Sequence, residues 1–112
     1  MSKKIKIIAK HKILNFIDCK ITAVAKEQFE EIVRSTGANI IKTVEHHFSP
    51  QGLTLLTLLS ESHASLHTYP EHKFCYLDIF TCGDMNISAF ERGMREILKP
   101  QRIISKTINR SY

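Results

Sequence analysis

Tryptophan is absent from the sequence, and proline, glycine and cysteine are scarce at three, four and three residues. So little proline and glycine excludes collagen-like and low-complexity linker architectures. Cys19, Cys75 and Cys82 are odd in number and widely spaced, which argues for free thiols and against a disulfide framework. No long hydrophobic run occurs; the most apolar stretch, Leu53–Leu59, is much too short to cross a bilayer. The basic start is not followed by an apolar segment of signal-peptide length, so a cytoplasmic protein with no membrane partner is expected. A P-loop, a dinucleotide-type glycine pattern and a zinc-type spacing are all missing, and no metal is expected. His46 and His47 are adjacent, so on a strand they face opposite ways and do not readily share an ion.

What is present is the composition of a soluble globular protein, with 43% hydrophobic and 24% charged residues. The length suits one domain over residues 1–112. The net charge of +5 is unevenly spread. Residues 1–12 carry Lys3, Lys4, Lys6, Lys10 and Lys12 with no acid, and residues 99–112 carry Lys99, Arg102, Lys106 and Arg110, again with none. No aromatic-interleaved basic stripe accompanies them, so they are taken as solvated ends and no nucleic-acid partner is expected.

Hydrophobic periodicity predicts eight elements. A first strand falls around residues 12–18, with Leu14 and Phe16 on one parity and Ile13 and Ile17 on the other. Lys26–Ser35 has helical spacing: Val24, Phe29, Ile32 and Val33 form a stripe, and Gly37 is placed to stop it. Ala38–Phe48 returns to a strand rhythm, with Ile40, Lys42, Val44, His46 and Phe48 assigned to one face. Pro50-Gln51-Gly52 is a turn before a strand over Leu53–Leu59. His63–Tyr69 alternates sharply and ends at Pro70. Lys73–Thr81 is the next strand, Asn86–Leu98 a second helix on Ile87, Phe90, Met94 and Leu98, and Ile103–Ile108 a last strand. The order is strand, helix, strand, strand, then strand, strand, helix, strand. It predicts an α+β two-layer sandwich, a mainly antiparallel sheet with both helices on one face.

The unusual chemistry lies between residues 60 and 83. Ser60, Glu61, Ser62, His63, Ser65 and His67 crowd eight positions of an otherwise apolar strand region. A Ser62 at a turn would have its hydroxyl near the carbonyl of Glu61, His67 could supply a base, and Cys82 an acid or nucleophile. From residue types alone, a serine or cysteine hydrolase fits equally well, and so does a hydrogen-bonded polar turn.

Ser60-Glu61-Ser62-His63, His67-Thr68, Pro70-Glu71 and Phe80-Thr81-Cys82-Gly83 resemble the processing and active-site segments of the short prokaryotic S-adenosylmethionine decarboxylases. Lys10-His11, Ser35-Thr36-Gly37-Ala38 and Phe48-x-Pro50-x-Gly52 are similar to the upstream framework of that pyruvoyl-dependent family. The resemblance implies a proenzyme that cuts itself between Glu61 and Ser62, turning Ser62 into a covalent pyruvoyl cofactor. Such a carbonyl forms a Schiff base with an amine and accepts the electrons left by departing CO₂. The resemblance further implies that His67 aids processing and that Cys82 returns a proton to the substrate carbon. Thr54 stands where many relatives have a supporting serine, a departure that bears on processing speed. Phe48 and Tyr69 become candidates to stack on adenine or face a sulfonium, and Glu71 to meet ribose hydroxyls or the substrate's positive end. The expected partner is a second copy of the chain, in a homodimer. Two alternatives stand beside this expectation: a pyruvoyl-dependent arginine decarboxylase of the same family, and a non-catalytic paralog that binds a regulatory partner.

Overall fold

A computed structural model describes residues 7–21 and 24–112; Lys3, Lys4 and Lys6 of the basic start lie outside the described residues. The chain forms β1 (Ala9–Ile17), α1 (Lys26–Arg34), β2 (Ile40–His47), β3 (Leu53–Leu59) and β4 (Ser62–Tyr69). A 3₁₀ turn (Pro70–His72) then leads to β5 (Phe74–Cys82), α2 (Ile87–Leu98) and β6 (Arg102–Asn109). The six strands make one sheet in the order β2-β3-β4-β5-β1-β6, and every pairing is antiparallel. All eight predicted elements are present in the predicted order, with both helices on one face of the sheet. No helix among the described residues is long and apolar enough to cross a membrane.

Period-two alternation divides the sheet cleanly. Leu14, Phe16, Leu55, Leu59, Leu66, Leu77 and Ile79 are buried on the helix side, beneath Phe29 and Val33 of α1 and Phe90, Met94 and Leu98 of α2. Phe29 and Phe90 meet edge to face at 6.0 Å, locking the two helices together over the sheet. The opposite parity carries His11, Ile13, Thr54, Leu56, Leu58, His63, Ser65, His67, Tyr76, Asp78 and Phe80. No helix covers that face, and Leu56, Leu58 and Tyr76 are each about half exposed there.

Local chemistry sets the helix ends. Ala25 offers no capping side chain, so Gln28 Oε1 accepts its N–H at 3.0 Å instead. Gly37 follows α1 at φ +95°, where its N–H bonds the Arg34 carbonyl at 2.9 Å. Asn86 caps α2 by accepting the Ala89 N–H. One expectation fails in β2. Ile40 pairs with Leu59, yet Lys42 pairs with Leu58, so the strand bulges at Ile41. The extra residue turns Ile40 toward the core while Lys42 and Val44 face the open side, so the single face assigned to Ile40, Lys42 and Val44 is wrong.

The helices approach closely at Gly93. A Cβ there would come to 2.7 Å from Cγ2 and 2.9 Å from Cγ1 of Ile32. Gly93→Val adds a branched side chain into that contact, and overpacking of this kind costs about 1–3 kcal/mol. Thermal unfolding followed by circular dichroism should show Tm lowered by several degrees; an unchanged Tm would show that the helices separate freely.

Candidate active site

The hairpin between β3 and β4 is built from Ser60 and Glu61, with Leu59 paired to Ser62 across it. Glu61 takes a left-handed conformation, φ 62°, which a side chain with a Cβ adopts only at a cost of roughly 1–2 kcal/mol. The Ser60 N–H donates to the Asn39 carbonyl at 3.2 Å, tying the turn to the residue that leads into β2. Ser62 opens β4 and is only 6% exposed. The backbone N–H of Cys82 donates to Ser62 Oγ at 3.1 Å, so the end of β5 holds the hydroxyl beside the turn. The Cys82 thiol is partly exposed, whereas Cys19 and Cys75 are buried. Burial pushes the thiols of Cys19 and Cys75 upward, Cys75 the further, which leaves both unreactive.

The other candidates sit at the far end of the same strands. Thr54 and His67 face each other across β3 and β4, with Thr54 Oγ1 3.0 Å from His67 Nδ1. That contact can fix the ring's orientation and tautomer. His67 lies five positions beyond Ser62 along the strand, about 16 Å at the usual rise, so one protomer does not bring His67 to its own Ser62. Phe48 is 52% and Tyr69 40% exposed at this end. Phe48 meets His46 edge-on at 4.6 Å, and Tyr69 meets Tyr76 edge-on at 5.7 Å. Gln51 Nε2 donates to Glu71 at 3.3 Å, linking the turn after β2 to the 3₁₀ turn after β4. The structure therefore groups Ser62, Glu61 and Cys82 at one end, and Thr54, His67, Phe48, Tyr69 and Glu71 at the other.

A polar cluster that sequence patterns miss occupies the open face between these ends. His11 and His63 each stand opposite Phe80 in the neighbouring strand. His11 Nε2 lies 2.7 Å and His63 Nε2 3.7 Å from Asp78 Oδ2, while the Ser65 hydroxyl donates to Asp78 Oδ1. No fixed spacing could reveal the group, because its members come from β1, β4 and β5. The shared parity of His63 and Ser65 in β4, and that of Asp78 with Phe80 in β5, were the visible signals.

Comparison with known proteins gives a consistent picture. Residues 10–111 match the model of the family described as S-adenosylmethionine decarboxylase. An S-adenosylmethionine decarboxylase proenzyme from Methanococcus aeolicus is 38% identical over 103 residues, covering 87% of this chain and 88% of the relative. A proenzyme of the same name from Prochlorococcus marinus is 40% identical over 86 residues, covering 72% of this chain and 69% of the relative. The crystal structure of the adenosylmethionine decarboxylase from Aquifex aeolicus superposes with a TM-score of 0.78 at 29% identity, covering 93% of this chain and 91% of that one.

Proposed function

The chain belongs to the S-adenosylmethionine decarboxylase family, and from that premise we propose how its residues carry out self-processing and catalysis. It is an S-adenosylmethionine decarboxylase made as a proenzyme, a carboxy-lyase that yields the decarboxylated aminopropyl donor for polyamine synthesis. The names of its relatives favour this substrate over arginine.

The observation that carries the processing step is the pairing of a strained Glu61 with a Ser62 hydroxyl held by the Cys82 N–H. In our proposal Ser62 Oγ attacks the Glu61 carbonyl carbon, the C–N bond breaks, and the peptide becomes an ester with a free amine on Ser62. A base then removes the Ser62 α-proton while the Glu61 carboxylate departs, leaving one chain ending at Glu61. Hydrolysis of the remaining enamine releases ammonia and leaves a pyruvoyl group at the start of the other chain. An N–H aimed at Oγ favours the developing charge on that oxygen, and release of the left-handed strain at Glu61 favours cleavage. Near-complete burial of Ser62 suits a ketone that must be shielded from water. That group supplies an electrophilic carbonyl for the substrate amine and an acceptor for the electrons released with CO₂.

A homodimer completes the site in this proposal. The open face exposes Val44, Leu56, Leu58 and Tyr76, apolar surface of the kind a second copy would cover. Two such faces packed about a two-fold axis, with strands running opposite ways, lay the far end of one β4 over the near end of the other. The Glu61–Ser62 end of β4, and Cys82 beside it, would then lie against the strand ends that carry His67, Thr54, Phe48, Tyr69 and Glu71 in the other protomer. Phe48 and Tyr69 offer aromatic faces to adenine or the sulfonium, and Glu71 a carboxylate to the ribose or the ammonium.

Intact mass under denaturing conditions, paired with a CO₂-release assay, tests the function. Expected are fragments 1–61 and 62–112, the second blocked at its amino end, together with turnover of S-adenosylmethionine. A single uncut chain without turnover would favour the non-catalytic paralog. Cys82→Ala keeps the backbone N–H that holds Ser62, so it should still be cut. Its decarboxylation should fall by about 10²–10⁴-fold, the usual worth of a positioned proton donor. Normal CO₂ release from that variant would assign the protonation to another group.

A further inference from the structure

We propose that His11, His63 and Asp78 form a binding site for one divalent transition-metal ion of the zinc class. The proposal is independent of the decarboxylase chemistry, since it uses none of the residues assigned to processing or substrate binding. The ligand atoms, one from each residue, all lie within 4.8 Å of one another. In a tetrahedral zinc site with bonds of about 2.0–2.2 Å, neighbouring ligand atoms stand roughly 3.3 Å apart. The observed separations from Asp78 Oδ2, 2.7 Å to His11 and 3.7 Å to His63, bracket that value. Side-chain adjustment of about an ångström therefore opens a coordination sphere without moving the backbone.

Three features go beyond the chance meeting of polar groups on a surface. The ligands come from three neighbouring strands joined by continuous ladders, so their Cα positions are rigid. Ser65 is buried and donates its hydroxyl to Asp78 Oδ1. This leaves Oδ2, which meets His11 Nε2 at 2.7 Å, as the oxygen that would turn to an ion once that contact opens. A carboxylate held by a neighbouring hydroxyl is common around metal sites. Phe80 packs on both rings, nearly parallel to His63 at 5.6 Å and edge-on to His11 at 5.9 Å, and limits their rotation. Two imidazoles and one carboxylate suit zinc, cobalt or nickel better than calcium or magnesium, which require a larger set of oxygens. The Arg110 guanidinium lies 5.0 Å from the Phe80 centroid. Its positive charge opposes any cation nearby, so binding would rest on the imidazole and carboxylate bonds and not on net charge. The fourth position points off the open face, where a water or a group of a second copy can complete the sphere.

Calorimetric titration of the chelator-treated protein with Zn²⁺, and Co²⁺ titration followed by visible absorption, test the site. Expected are one ion per protomer and the intense d–d bands of four-coordinate cobalt. His63 is half exposed, so His63→Ala removes a ligand with little threat to folding. It should weaken binding at least about tenfold, as should Asp78→Asn, while His46→Ala at the far end should bind like the parent protein. Absence of saturable binding, or equal affinity in His63→Ala, would overturn the proposal and leave the cluster as an ordinary hydrogen-bonded ion pair.

Discussion

Replacing Ser62 by alanine should leave a full-length, folded chain with no detectable decarboxylase activity. The substitution deletes the one oxygen that the Cys82 N–H holds beside the Glu61 carbonyl. Without it no ester can form, and no side chain in the sequence offers a reactive ketone in its place. The effect is all-or-none because the cofactor itself is missing, whereas the loss of a proton donor slows one step. The fold should survive at some cost in stability: the side chain is small, and its loss leaves only the Cys82 N–H unpaired, at about 1–3 kcal/mol. Denaturing mass spectrometry and CO₂ release read the outcome together. Cleavage at the same position in Ser62→Ala would remove Ser62 from the mechanism.

Activity should return when two inactive variants are combined. Ser62→Ala lacks the pyruvoyl precursor and His67→Ala lacks the proposed processing base, so each alone is inactive in a dimer with shared sites. Co-expression places both in one dimer, where Ser62 of one protomer meets His67 of the other. Random association makes half of the dimers mixed, each with one intact site of two, so about a quarter of the parental activity is expected. Mass analysis of these dimers should also show the His67→Ala chain cut and the Ser62→Ala chain whole. The separation of Ser62 from His67 along one strand makes this outcome specific. If each protomer used only its own groups, the mixture would stay as inactive as its parts.

The sequence revealed the elements more readily than the way they assemble. Alternation in β4 and β5 is sharp because one face is buried, so Leu66, Leu77 and Ile79 announce both the strands and the side on which the helices lie. The bulge at Ile41 was invisible: an extra residue leaves the apolar pattern of β2 almost unchanged and shows only in its register against β3. For the site, the residues between 60 and 83 stood out by their chemistry. Their distribution did not, because distance along a strand becomes meaningful only once neighbouring strands are known. His67 follows Ser62 closely in the chain, yet the extended backbone carries it to the opposite end of the sheet. Asp78 was similarly opaque. Its parity was visible, but its contacts with His11 and Ser65 depend on β1 and β4 flanking β5.

Strand order also governs what a cut at Glu61 would leave behind. Residues 1–61 contain β1, β2 and β3, and residues 62–112 contain β4, β5 and β6. In space these do not form two halves, since β1 is inserted between β5 and β6. Three ladders, β3 with β4, β1 with β5 and β1 with β6, would still join the fragments after the peptide bond is gone. The ends add a fourth clasp, with Ile7 and Tyr112 exchanging backbone hydrogen bonds at 2.8 Å. A severed protomer is thus interlocked like the fingers of two hands, and its parts cannot drift apart without melting the whole sheet. Neither fragment owns a complete set of neighbours for its strands, so covalent continuity is needed to weave the protomer but not to keep it woven. Maturation by such a cut would consequently be one-way: the intact chain folds as a single molecule, whereas a denatured mature protomer would have to find its other half in solution.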